Sequence, residues 1–255
     1  EVIRWEPENP IISKRYYEWK CNYDSEESEE ALSYEHFEII KDVFRRFVNF
    51  LDGRQVVVAL SGGLDSKLVV GMLRYFEYEN VLCYTYGKGN SREAIKAEAV
   101  SEQFGYNWIL TEYSGDMWKQ TLRDKDLHKY WASATNGVSL PHCWDWPSLK
   151  MIKRMDIVDE DAVFVTGISG DFVAGNHLKN IFDPRYNRDP HDFIELMINK
   201  HYSLWLNLIR IPAIFSLAES RIRGATLYTD EKSDAYISSI YEYWEWQERQ
   251  SKYIV

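Results

Sequence analysis

The sequence predicts an α/β fold with a doubly wound parallel sheet and a helical C-terminal region. Between residues 55 and 166, short β-branched runs alternate with stretches of helical periodicity, which is the pattern of parallel strands joined by crossover helices. Within the first predicted strand, residues 56–60 are all apolar, as expected of a strand buried on both faces. After Arg188 the pattern is helical to the end of the chain.

The elements follow from local pattern in chain order. The segment before the sheet predicts short strands and turns, then an acidic linker, then an amphipathic helix, at residues 1–19, 21–30 and 31–51. Four strands are predicted, at residues 55–60, 81–86, 107–113 and 162–166. Helices are predicted at residues 64–76, 91–104, 115–130 and from near Asp145 onward. Asn90 and Glu93 have the spacing of a capping box for the helix at 91–104, and Gly105 follows as its stop.

Composition narrows the class of protein. The 255 residues carry a formal net charge of −10, which argues against a broad nucleic-acid surface. No apolar run has the length of a membrane span, and no signal peptide is visible. The three cysteines lie far apart, which favours a reduced protein. We therefore predict a cytoplasmic protein with no nucleic-acid partner and no membrane partner.

A loop rich in small polar residues, the first loop (residues 61–66, SGGLDS), ends the first sheet strand. Ligands bind outside the carboxyl ends of the strands in an open parallel sheet. Gly62 and Gly63 permit close approach of backbone N–H groups to an anion, and the helix that follows adds its positive end. Ser61 and Ser66 supply hydroxyl donors. This spacing favours anion binding over a simple strand-to-helix turn, for which one glycine would suffice.

A carboxylate, Asp65, lies inside this predicted anion loop. Two interpretations remain open: Asp65 stabilises the helix N-terminus, or it reaches phosphate through Mg²⁺. The loop has neither the lysine of a Walker P-loop nor the glycine pattern of a dinucleotide fold.

The second loop (residues 166–171, TGISGD) ends the last predicted strand. Gly167 and Gly170 flank its centre, and Asp171 closes it. We weigh two interpretations evenly: Asp171 caps a helix, or it faces Asp65 across one crevice and shares a metal ion with it.

The first loop, in its strand–loop–helix context, resembles the pyrophosphate loop of the N-type ATP pyrophosphatases, the PP-loop superfamily. Within it, residues from about 31 onward resemble the synthetase domain of asparagine synthetase, and more closely the asparagine synthetase-like proteins of surface-polysaccharide gene clusters. Residues 166–175 resemble the family's second motif, Ser-Gly-Glu-Gly-Ser-Asp-Glu. Residues 1–19 resemble the segment that leads out of the family's glutaminase domain. The resemblance implies an adenine nucleotide alpha hydrolase-like fold and two parts: an entry segment and acidic linker at 1–30, and a C-terminally truncated synthetase domain at 31–255.

The resemblance implies an ATP-dependent carbon–nitrogen ligase. It would activate a small-molecule carboxylate as an acyl-adenylate with release of pyrophosphate, and ammonia would then form the amide. A glutaminase domain of the same full-length chain is an implied partner. Asp65 and Asp171 would be catalytic and would hold Mg²⁺. The residues implied to bind ATP and pyrophosphate are Leu60, Ser61, Gly62, Gly63, Asp65, Ser66, Tyr86, Gly87, Gly167, Ser169 and Gly170.

Two positions depart from the family pattern: Ile168 and Phe172 stand where the second motif has glutamates. This departure keeps two alternatives open, a non-catalytic nucleotide-binding or assembly module with a degenerate site, and another adenylating PP-loop enzyme such as an NAD synthetase-like ligase. Lys67, Arg92, Lys96 and His142 lie near the predicted site in sequence, but solvated surface positions are the simpler interpretation of them.

Overall fold

A computed structural model describes residues 2–4, 6–7, 10–14, 17, 19, 27–134, 143–178, 190–202, 206–225 and 233–247. By their contacts, the residues divide into two compact units. The α/β unit is Glu27–Ala174, and the helical unit combines Glu1–Glu26 with Gly175–Val255. The two strands that precede the predicted site loops therefore lie in the α/β unit.

The α/β unit alternates strands and helices as predicted. Its strands in the described residues are β3 (Val56–Ala59), β4 (Val81–Gly87), β5 (Asn107–Glu112) and β6 (Val163–Val165). Its helices in the same residues are α1 (Glu29–Leu51), α2 (Leu64–Tyr75), α3 (Arg92–Phe104), α4 (Gly115–Leu122), α5 (Lys125–Ala134), α6 (Trp146–Met155) and α7 (Gly170–Val173).

The four strands form a parallel sheet in the order β5-β4-β3-β6. Val56 of β3 lies opposite Val81 of β4 and Val163 of β6. The first strand in sequence, β3, is therefore central, and the last, β6, is its direct neighbour. This register places the ends of β3 and β6 side by side.

Helices cover both faces of this sheet, which confirms the predicted doubly wound fold. Val56 and Val58 pack in one core with residues of α1, α2 and α3. Val57, whose side chain points to the opposite face, packs with Ile152 of α6. Both cores take apolar residues from β3, so this strand lacks polar alternation.

Two local predictions are wrong. The helix predicted at 115–130 is two helices, α4 and α5. The break falls where the Asp124 carboxylate accepts a hydrogen bond from the Asp126 N–H at 3.0 Å and pairs with Lys150 of α6. The predicted capping box is also wrong: Ser91 is the N-cap of α3 and accepts from the Ala94 N–H at 3.2 Å. Gly105 does end α3, with a left-handed φ of 75°.

The helical unit begins with an antiparallel hairpin of β1 (Val2–Arg4) and β2 (Ile12–Lys14). Its described helices are a 3₁₀ turn at Asn176–Leu178, α8 (Pro190–His201), α9 (Leu206–Ile209), α10 (Pro212–Ala225) and α11 (Asp234–Trp244). Tyr241 and Trp244 are buried in the core of this unit. Among the described residues, no helix combines the length and the apolarity that crossing a membrane requires.

Candidate functional site

The first loop and the second loop lie at the carboxyl ends of neighbouring strands. β3 leads into the first loop and α2, and β6 leads into the second loop and α7. Because β3 and β6 are adjacent and parallel, the two loops meet at one edge of the sheet. This is where ligands bind in open α/β sheets.

Hydroxyl groups hold the first loop in shape. The Ser66 Oγ accepts a hydrogen bond from the Ser61 N–H at 3.0 Å and lies 3.1 Å from the Ser61 Oγ. The Ser61 Oγ accepts from the Gly63 N–H at 3.2 Å. Ser66 is buried, whereas Ser61 and Gly63 are exposed. Hydrogen bonds of its own serine side chains therefore fix the conformation of the loop, while Ser61 and Gly63 remain accessible to solvent.

The strand end that carries this loop is tied to β4. The Leu60 N–H donates to the Tyr84 carbonyl at 2.9 Å, and the Leu60 carbonyl accepts from the Thr85 Oγ at 2.7 Å. Trp108 of β5 donates its indole N–H to the same Thr85 hydroxyl at 2.9 Å. Three adjacent strands therefore fix where the first loop begins.

One backbone donor of the first loop is bound by a carboxylate from α3. The Gly62 N–H donates to Glu93 Oε2 at 2.6 Å. A Cβ on Gly62 would lie 2.6 Å from that oxygen and 3.1 Å from Cδ of Lys96. Glycine at this position therefore lets the two α3 side chains approach the loop without being displaced. A loop predicted to hold an anion holds one from its own chain.

The second loop packs directly against Asp65. A Cβ on Gly167 would lie 2.7 Å from the Ser66 nitrogen and 2.9 Å from the Asp65 Cβ. A Cβ on Gly170 would overlap the carboxyl carbon and Oδ1 of Asp65. The structure therefore brings together Gly167, Gly170 and Asp65.

The other members of the second loop face outward. Ser169 precedes α7 and makes no side-chain capping bond. Asp171 is exposed, and Ile168 is 59% exposed. Within the described ranges no cluster of three metal-ligating side chains forms. Carboxylates such as those of Asp65 and Asp171 are the protein ligands that Mg²⁺ takes beside phosphate and water, and the metal role of these two residues stays a prediction.

An aromatic group lies at the carboxyl ends of β4 and β5, where Tyr86 and Gly87 are predicted to contact ATP. Tyr86 stacks on Tyr113 with ring centroids 5.2 Å apart, and Trp118 meets Tyr113 edge-on at 5.5 Å. Burial raises the pKa of both tyrosines to about 12. Gly87 follows with a φ of 128°, a conformation that favours glycine. The stacked rings are neutral at physiological pH and offer an apolar wall at the neighbouring strand ends.

Sequence reasoning missed two contributors to this site. Glu93 has the spacing of a capping box, although its position one helical turn before Lys96 places both on the helix face nearest the first loop. Thr85 follows a buried run in β4, and a hydroxyl there signals a specific partner. His142 lies outside the described residues.

The first loop, at a strand end of this parallel sheet, resembles the pyrophosphate loop of the PP-loop superfamily. The asparagine synthase family model matches residues 40–131, about a third of the chain. The matched segment contains the first loop, β4, α3 and β5. The match confirms the predicted resemblance to the asparagine synthase family for this segment.

Comparisons with solved structures and with curated protein sequences add no further support for a function. The NH3-dependent NAD synthetase from Campylobacter jejuni subsp. jejuni, solved in complex with the nitrate ion, is 16% identical and has a TM-score of 0.34. The match covers 78% of this chain and 98% of that one. No curated protein sequence matches the chain.

Proposed function

We propose that this protein is an ATP-dependent ligase that activates a carboxylate as an acyl-adenylate and then forms an amide with ammonia. The observation that carries the proposal is the first loop itself. It is a hydroxyl-closed, glycine-containing loop at a strand end, inside the segment that matches the asparagine synthase family. Its backbone N–H groups and the N-terminus of α2 suit an anion.

The reaction has two balanced steps. A carboxylate oxygen of the substrate attacks the α-phosphorus of ATP, the bond from that phosphorus to the β-phosphate bridging oxygen breaks, and pyrophosphate leaves. Ammonia then attacks the acyl carbon, AMP leaves with the bonding electron pair, and the nitrogen loses a proton. Negative charge develops on the departing pyrophosphate, where preorganised N–H donors stabilise it best.

Each loop has a separate task in this scheme. The first loop binds and orients the pyrophosphate portion of ATP through backbone N–H groups and the Ser61 hydroxyl. Asp65 and Asp171 would hold Mg²⁺, which when bound neutralises charge on the phosphate oxygens. Gly167 and Gly170 let the second loop, which carries Asp171, pack directly against Asp65.

The test is carboxylate-dependent release of pyrophosphate from ATP. A panel of small carboxylic acids is screened with ammonium present, and the Asp65→Asn variant is compared with the unaltered protein. We expect Asp65→Asn to lower the rate at least about 100-fold, because the charge that anchors the metal is lost while the shape is kept.

Asp116→Asn is the matched control. Asp116 is an exposed carboxylate of α4 that pairs with Lys119 at 2.9 Å, so it undergoes the same chemical change away from the loops. We expect its rate to equal that of the unaltered protein. Full activity in Asp65→Asn would overturn the role given to this carboxylate.

A second function, a nucleotide-binding module without catalysis, is favoured by one observation. Ile168 is exposed beside the Asp65 contact, at a position where the resembled motif carries an acid. A binding module would bind ATP but show no carboxylate-dependent exchange of radiolabelled pyrophosphate into ATP. Measurable exchange with any carboxylate of the panel would exclude it.

A further inference from the structure

The contact between Glu93 and the first loop places an anion of the chain where a phosphate oxygen would bind. The Glu93 carboxylate accepts a 2.6 Å hydrogen bond from the Gly62 N–H. This side chain extends from the first turn of α3 and is exposed. A charge-assisted bond of this length is among the stronger hydrogen bonds of a protein surface.

We propose that Glu93 is an internal competitor for the first loop, which nucleotide phosphate must displace before it binds. The inference rests on the proposed nucleotide binding and adds to it a determinant of affinity. While the Glu93 carboxylate is bound to the Gly62 N–H, the loop cannot bind phosphate there. Only the fraction of molecules in which this bond is broken is competent to bind. The apparent affinity for phosphate ligands falls by that same fraction.

Lys96, a cation on the same helix, lies close enough to Gly62 to attract a phosphate that replaces Glu93. The stem of Lys96 passes 3.1 Å from the position of a Gly62 Cβ. In the described part of the chain, Lys96 forms no ion pair. Lys96 lies one turn beyond Glu93, so residues i and i+3 of α3 flank Gly62 together. Displacement of Glu93 would exchange a carboxylate for a phosphate that Lys96 attracts.

The two side chains therefore have opposite effects on affinity. Removing Glu93 frees the Gly62 N–H, so ligand binds more tightly. Removing Lys96 takes away a favourable charge, so ligand binds more weakly. A purely structural role for α3 would not produce changes of opposite sign from two neighbouring positions.

The experiment measures binding of MgATP and of inorganic pyrophosphate with Mg²⁺ to the full chain by isothermal titration calorimetry. We expect Glu93→Ala to tighten both affinities about tenfold and Glu93→Gln somewhat less, because the amide oxygen still accepts from Gly62 without charge. Lys96→Gln should weaken both about threefold. Thermal unfolding of each variant verifies that the fold is kept.

Matched controls remove the effect of net charge. Glu98→Gln alters an exposed carboxylate of α3 beyond the loop, and Lys125→Gln alters an exposed lysine of α5. Both should leave the affinities unchanged. Equal or weaker binding by Glu93→Ala would overturn this inference alone. Failure of every variant and of the unaltered protein to bind either ligand would overturn the proposed function, and the inference with it.

Discussion

The two strand-end loops reach the same edge of the sheet by different means. The first loop is closed by its own hydroxyls, since Ser61 and Ser66 bond to each other and to the loop backbone. The second loop makes no such side-chain closure at Ser169. Its shape depends on two glycines that let it lie against Asp65.

The first loop is therefore preformed by its own hydrogen bonds, whereas the second loop is positioned by its contact with Asp65. Hydrogen bonds within a loop survive changes elsewhere in the molecule, and they fix donors before a ligand arrives, which lowers the cost of binding. Close glycine packing has no such tolerance, because backbone atoms cannot move away from an added methyl group. The second loop should therefore be the more sensitive to a one-carbon change.

The largest effect is expected from Gly167→Ala. The new Cβ would lie 2.7 Å from the Ser66 nitrogen and 2.8 Å from the Asp65 carbonyl carbon, and both are backbone atoms. We expect a loss of about 3 kcal/mol in the free energy of unfolding, measured by urea denaturation, together with loss of pyrophosphate release.

Gly115→Ala is the control for this change. Gly115 lies at the start of α4, and a methyl group added to it would have no heavy atom within 4 Å. We expect its free energy of unfolding to stay within about 0.5 kcal/mol of the unaltered protein. A stable, active Gly167→Ala protein would mean that the second loop does not depend on contact with Asp65.

A smaller effect is expected from Ser66→Ala, which breaks the closure of the first loop. Ser66 is 4% exposed, and without its oxygen the Ser61 N–H loses its acceptor at the start of the loop. We expect a loss of about 1–2 kcal/mol in the free energy of unfolding. Ser169→Ala, the matching change in the second loop, should cost less than about 0.5 kcal/mol. Equal losses from the two serines would remove the distinction between the loops.

Much of this unit was predictable from sequence because its signals are local. The β-branched run of β3, the glycine stop of α3 and the small residues of the first loop each act within a few positions. The parallel sheet follows from their order along the chain. The resemblance of the first loop to a known family then indicated ATP, and the family match at residues 40–131 agrees with it.

What sequence did not predict depends on contacts between distant residues. Glu93 satisfies the spacing of a capping box with Asn90, and only the packing of α3 beside the first loop directs its carboxylate to Gly62, 31 positions away. At the break after α4, Asp124 likewise pairs with Lys150 of α6 in addition to its local partner, the Asp126 N–H. In both cases an acidic side chain has a partner that only the tertiary fold brings near.

Gly62→Ala tests whether the first loop is as intolerant as the second. The added Cβ would contact the ends of flexible side chains, Glu93 and Lys96, rather than backbone. We expect a loss of only about 0.5 kcal/mol in the free energy of unfolding. In a Glu93→Ala background the same change should become neutral or slightly stabilising, because alanine restricts the unfolded chain. An undiminished loss in that background would place the clash elsewhere than at Glu93.

The smallest change in stability is expected from Ile168→Glu. The same substitution is the most direct test of whether the second loop helps to bind a metal ion. Ile168 is exposed on the second loop, so a glutamate there should alter the free energy of unfolding by no more than about 0.5 kcal/mol. If the second loop binds a metal ion together with Asp65, an added acid should lower several-fold the Mg²⁺ concentration that gives half-maximal pyrophosphate release. Val173→Glu, which places the same charge at another exposed apolar residue after the loop, is the control for charge alone. An equal response of both variants would show that added negative charge near the second loop acts at any position, so the loop has no defined ligand position for the metal. The first loop alone would then bind ligand, and the second loop would only pack against Asp65.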